Sequence, residues 1–234
     1  MTAARPGTGT GMLRNLFDPE NLVQPVSAPG LTQENAMAVR YAVKGEARAR
    51  QGTMVAWRGS LEFERQGQGV GNFLKRAVTG EGLALMTVTG EGEAWFASDA
   101  AHCFLVDVDE NHGLTVNGKN VLCFDASLNY DITTVKGAGM AGGGLFNCTF
   151  TGTGRLALTS AGIPLVLPVT PQAPVHVDTD AVVAWSPALS TSLHRSQSIG
   201  SMVKGGSGEA VQLKLEGEGV VVVNPGEPKP TPSS

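Results

Sequence analysis

Gln212-Leu-Lys-Leu-Glu-Gly-Glu-Gly219 alternates apolar and polar residues and then breaks at a Gly-x-Gly. Alternation with a period of two is the mark of a half-buried strand, and a Gly-x-Gly inside a β run marks a bulge or a corner. The same figure occurs at Leu85-Met-Thr-Val-Thr-Gly-Glu-Gly92 and at Asn147-Cys-Thr-Phe-Thr-Gly-Thr-Gly154. A second figure, a short apolar strand ending in an aromatic residue, occurs at Met54-Val-Ala-Trp57, Val121-Leu-Cys-Phe124 and Val182-Val-Ala-Trp185. The Gly-x-Gly pairs begin at Gly90, Gly152 and Gly217, in steps of 62 and 65 residues. The aromatic steps, from Trp57 to Phe124 to Trp185, are 67 and 61. Two independent markers keep one period. That predicts an all-β chain of three tandem copies of one roughly sixty-residue β unit.

The copies span roughly residues 40–112, 113–174 and 175–224, within a β domain over 31–224. Residues 1–30 precede it as an arm in which Leu13, Leu16 and Phe17 are the apolar positions. The Pro- and Ser-rich stretch 225–234 reads as a disordered tail. Asn117-Gly118 carries a type I′ hairpin signal, with matching turns at Gln51-Gly52 and around Asp178 to Asp180. Long helical periodicity is absent, and a short turn near Asn72 to Ala77 is the best helix candidate. Thirty-one glycines suit a chain of many short strands and tight turns.

Charge bounds the function. The net charge is −4, whereas a protein that neutralises phosphates is expected to be basic, so nucleic acid is not the expected partner. The balance is uneven: eight Lys/Arg lie between Arg40 and Arg76 against Glu46, Glu62 and Glu64, which predicts a local basic patch. From Ala77 to Asp131 there are nine acids against Lys119 alone. Cys103, Cys123 and Cys148 form no CxxC pair and read as reduced, buried thiols. No signal-peptide pattern and no membrane-length apolar run is present, so the expectation is a soluble cytoplasmic protein.

The ordered set of motifs resembles a known family. It comprises Gly52-Thr-Met-Val-Ala-Trp57, Phe73-Leu-Lys-Arg76 with Thr79-Gly-Glu81, and Gly144-Leu-Phe146 with Thr151-Gly-Thr-Gly154. Val166-Leu-Pro-Val-Thr-Pro171 and Gly206-Ser-Gly-Glu-Ala210 complete it. Over roughly Arg40 to Pro225 these are similar to the bacterial branch of the altered-inheritance-of-mitochondria family. The resemblance implies a fold like that of the tryptophan RNA-binding attenuation protein, a small β-sandwich unit used repeatedly, here as three tandem repeats. It implies no agreed activity for bacterial members, and a link to inner-membrane organisation for mitochondrial ones.

No catalytic set emerges. Gly137-Ala-Gly-Met-Ala-Gly142 satisfies GxGxxG, but a strand follows it where a dinucleotide site needs a helix. Gly113 to Lys119 reads GxxxxGK, with Asn120 in place of the Ser or Thr that holds Mg²⁺, and is expected to be a hairpin. His102, His112, His176 and His194 make no HxH, HxxxH or HExxH, and Asp107, Asp109 and Glu110 lack the spacing of a calcium loop. No metal or cofactor is expected.

Each copy does carry a Gly-rich loop with a cation between its two figures. Phe73, Leu74, Lys75 and Arg76 lie in the first, Lys136 in the second, Arg195 and Lys204 in the third. Exposed backbone N–H groups beside cations suit an anion or a protein partner, and Phe73 and Leu74 suit a membrane surface. The expected function is therefore non-enzymatic binding or assembly, through these loops or an oligomer surface. The alternatives are an RNA- or other anion-binding module by fold analogy, and an enzyme with an unrecognised site.

Overall fold

A computed structural model describes residues 18, 22–26, 28–65, 83–134, 146–195 and 211–226. The described chain is all-β, with one 3-10 turn and no α-helix among the described residues. It runs through β1 (Gly30–Asn35), β2 (Ala38–Arg50), β3 (Met54–Arg65), β4 (Leu85–Phe96), β5 (His102–Val108) and β6 (Leu114–Asn117). The 3-10 turn Gly118–Asn120 leads to β7 (Val121–Asp125), β8 (Asn129–Thr134), β9 (Phe146–Thr151), β10 (Gly154–Ser160) and β11 (Leu165–Val169). Last come β12 (Val175–Asp178), β13 (Val182–Trp185), β14 (Ser190–Arg195), β15 (Val211–Glu216) and β16 (Gly219–Val223).

Three antiparallel sheets result. The first has the order β3-β4-β2-β7-β10-β5, with β1 added against β2. The second runs β11-β16-β13-β6-β9-β8 and the third β12-β15-β14. Aromatic and β-branched residues on inward faces make three apolar clusters. The first is built around Val39, Ala47 and Phe96, the second around Phe124, Phe150 and Leu156, and the third around Trp185, Leu213 and Val221.

One register recurs in all three places. Trp57 lies opposite Ala94, Phe124 opposite Leu156, and Trp185 opposite Val221. In each pair the partner stands four residues after the first glycine of a Gly-x-Gly. Each pair also holds the same bulge, with Val55, Leu122 and Val183 as the extra residue. A bulge places two consecutive residues on one side of a strand. Accordingly Leu122 and Cys123 enter the first cluster while Val121 and Phe124 enter the second. Val183 and Ala184 likewise enter the second while Val182 and Trp185 enter the third.

The turns depart from expectation. Asn117-Gly118 makes no hairpin: β6 pairs with β9 and β13, whereas β7 pairs with β2 and β10. Asn117 instead caps the 3-10 turn and donates from Nδ2 to the Val182 carbonyl at 3.3 Å, while Asn120 Nδ2 donates to the Thr159 carbonyl at 2.8 Å. Long-range bonds, not local turn geometry, decide this corner. The GxxxxGK stretch is thus a strand and a sheet crossing. Gln51-Gly52 joins two strands that flank β4, and Asp178 to Asp180 joins strands of different sheets. The strand runs on through Gly90 within β4, but ends at Gly152 and Gly217, beyond which the chain enters another sheet.

Candidate functional site

Phe73, Leu74, Lys75, Arg76, Lys136 and Lys204 lie outside the described residues. Arg195 ends β14, paired in register with Val211, and its side chain is likewise outside them. The three cationic segments leave from the ends of three hairpins, Arg65 opposite Met86, Thr134 opposite Phe146, and Arg195 opposite Val211. Each hairpin belongs to a different sheet. The expected basic patch takes another form where it is described. Arg40 is buried between Glu34 (3.0 Å) and Glu93 (3.3 Å), and Arg58 pairs with Glu93 and stacks on Trp95. Arg50 donates to the Val121 carbonyl.

The outstanding surface feature is the Met54–Trp57 end of β3. Its counterparts are covered by a neighbouring strand: β7 lies against β2, with Cys123 opposite Ala49 and Phe124 opposite Arg48. β13 lies against β6, with Ala184 opposite Val116 and Trp185 opposite Thr115. Among the described residues β3 is an outer strand with no such neighbour. Val55 is therefore 62% exposed and Trp57 49% exposed, where Leu122, Phe124 and Val183 are fully buried and Trp185 is 4% exposed. The bulge sets Val55 on one face of this open edge and Trp57 on the other, so the edge is apolar on both sides, as an edge that another strand can cover.

A second apolar edge differs in kind. On β11 Leu165, Val166 and Leu167 are exposed, with Ile163 beside them. Pro168 pairs with Val220, whose carbonyl accepts from Ser186 N at 3.0 Å and whose N–H donates to Ser186 Oγ at 3.0 Å. Both polar groups of Val220 thus face away from β11, so the nitrogen of Pro168 points outward. Proline in that position guards an edge against strand addition. β3 has no proline. Its bulge is no guard either, since β7 and β13 carry the same bulge and still accept a neighbour.

A cleft of about 620 Å³ lies between the β1 end and the β5 and β10 ends. Its charges satisfy one another. Arg155 donates from Nε to Asp107 (2.8 Å), from Nη1 to the Leu31 carbonyl (3.0 Å), and from its backbone N to Asp125 (2.7 Å). The other oxygen of Asp125 accepts from the Tyr41 hydroxyl at 2.6 Å. Burial, reinforced by the Asp125 carboxylate, pushes the Tyr41 pKa well up. This network fastens β1 to the body. All three cysteines are free and buried, and burial raises Cys103 to about 11 and Cys148 to about 12. No group of three or more His, Cys, Asp or Glu suited to a metal ion occurs among the described residues. No described helix is long and apolar enough to cross a membrane.

These features define an all-β protein of strand-joined sheets, in which one outer strand repeats in exposed form what two inner strands bury. The family model described as Mitochondrial biogenesis AIM24 matches residues 33–226, and the chain belongs to that family. The description names a process and no ligand or reaction. Among curated proteins none matches. The fold is similar to a crystal structure of a protein from Streptococcus pyogenes, with a TM-score of 0.66 and 23% identity over 84% of this chain and 92% of the other.

The sequence reading missed the β3 edge, because Met54–Trp57 and Val182–Trp185 carry the same motif. A signal was present: Arg58 and the later Glu62, Glu64 and Arg65 make β3 much more polar than β7 or β13. Charge of that kind is common on outer strands.

Proposed function

We propose that the chain is a non-enzymatic assembly protein of three like units, and that the Val55–Trp57 end of β3 is its recognition edge. The observation that carries this is the exposure of Val55 and Trp57 at a position whose two internal counterparts are buried against the next strand. Burying a side chain of this size is worth about 1.5–3 kcal/mol, so an edge that leaves two exposed has a ready driving force for association. Trp is one of the residues on which interface energy concentrates. Affinity purification from the native cell after cross-linking tests the reading, with wild type beside Trp57→Asp. The variant is expected to lose its specific interactors, further copies of itself included. Retention of all of them by the variant contradicts the reading.

A further inference from the structure

The internal joints specify what covers the edge. At both, a bulged strand lies antiparallel to the first strand of the unit before it. Cys123 meets Ala49 at one joint and Ala184 meets Val116 at the other. Ala49 pairs on its far side with Met86, and Val116 with Cys148. Met86 and Cys148 each stand four residues before a Gly-x-Gly. The third residue so placed is Leu213, whose partner is Val177 on β12. Val177 is thus the third member of the set Ala49, Val116 and Val177. The first two each receive a bulged strand, whereas the free side of β12 is an outer edge of its sheet. Among the described residues there is therefore one donor edge without an acceptor, β3, and one acceptor edge without a donor, β12.

Resting on the reading of β3 as a recognition edge, we propose that the occupant is a second copy of this chain, joined head to tail with β3 of one copy against β12 of the next. The internal register places Ala56 opposite Val177 of the second copy, Trp57 opposite His176, and Arg58 opposite Val175. Val55 and Ala56 then enter the third apolar cluster of that copy, as Leu122 and Cys123 enter the first and Val183 and Ala184 the second. The contact is heterologous, so copies add in one direction, closing a ring or growing a filament. Strand addition at a sheet edge supplies the affinity through main-chain hydrogen bonds, and the bulge supplies the register.

Directly opposed residues of an antiparallel pair have Cα atoms roughly 4.5–5.5 Å apart, within disulfide range. The native thiols are buried, so introduced cysteines report alone. Ala56→Cys and Val177→Cys are made in separate full-length chains, checked for native fold by circular dichroism, and oxidised mildly. The mixture is expected to yield a disulfide-linked pair, and neither variant alone to yield more than a trace. Three results overturn the proposal: no linked pair in the mixture, Ala56→Cys linking to itself as readily, or the double variant bridging within one chain at high dilution. Should the mixture fail to link while Trp57→Asp still loses its interactors in the cell, the recognition edge stands and only its self-pairing falls.

Discussion

Trp57 and Trp185 hold one register, opposite Ala94 and Val221, yet Trp57 is half exposed and Trp185 is buried. The difference is the neighbour. Trp185 has β6 at its side, whereas Trp57, on an outer strand of the described residues, meets the ring of Phe63 edge-on at 5.5 Å on its own strand. Trp185→Ala is expected to cost about 3–5 kcal/mol, as core aromatic truncations do, and Trp57→Ala less than about 1 kcal/mol in the unassembled chain. Urea denaturation of both variants at low protein concentration checks this, and equal costs contradict it.

Gly45 and Gly90 face each other across β2 and β4, both with positive φ (+109° and +116°). They differ in surroundings. A Cβ on Gly90 collides with the Ser60 carbonyl of β3, whereas one on Gly45 meets nothing within 4 Å. Gly45→Ala is expected to cost about 1–2 kcal/mol of backbone strain, and Gly90→Ala distinctly more. Thermal melts rank the two, and the reverse order contradicts the packing of β3 on β4.

Tyr41, Cys103 and Cys148 all have their pKa raised by burial. A raised pKa on these groups means that the fold favours the protonated form. Their contribution is full below the ordinary values of 9.0 for the thiols and 10.0 for tyrosine, and is lost as pH climbs past them. Stability should therefore fall steadily above pH 9. Tyr41→Phe removes the bond to Asp125, costing about 1–3 kcal/mol near neutrality, and the gap to wild type should narrow above pH 10. Denaturation midpoints between pH 7 and 11 measure both effects. A gap that widens with pH contradicts the assigned protonation.

The buried thiols are also expected to be inert. A thiol reagent at pH 8 should label none of the three cysteines in the folded chain and all three in denaturant. Rapid labelling of Cys123 under native conditions contradicts its place in the first cluster.

The all-β class and the three positions that share a register were legible, because strand alternation and glycine placement are local properties of sequence. The corners were not. Asn117-Gly118 carries the residues of a hairpin, but the Asn117 side chain donates to the Val182 carbonyl, 65 residues on, and accepts from Lys119 N within the turn. The edges were hidden for a similar reason. Val55 and Val183 sit in nearly identical motifs, and only the strand order shows that, among the described residues, Val183 has a neighbouring strand and Val55 has none. Pro168 was a signal left unread, since proline in a strand argues for an outer position before any pairing is seen.

The central claim is that an exposed β3 edge drives assembly, and sedimentation velocity tests it most directly. The full chain of 24.2 kDa is run from about 1 μM to about 1 mM beside Trp57→Asp. The wild type is predicted to gain mass in steps of one chain as concentration rises, while Trp57→Asp stays monomeric throughout. A wild type that remains monomeric at the highest concentration, or a variant that assembles equally well, contradicts the account.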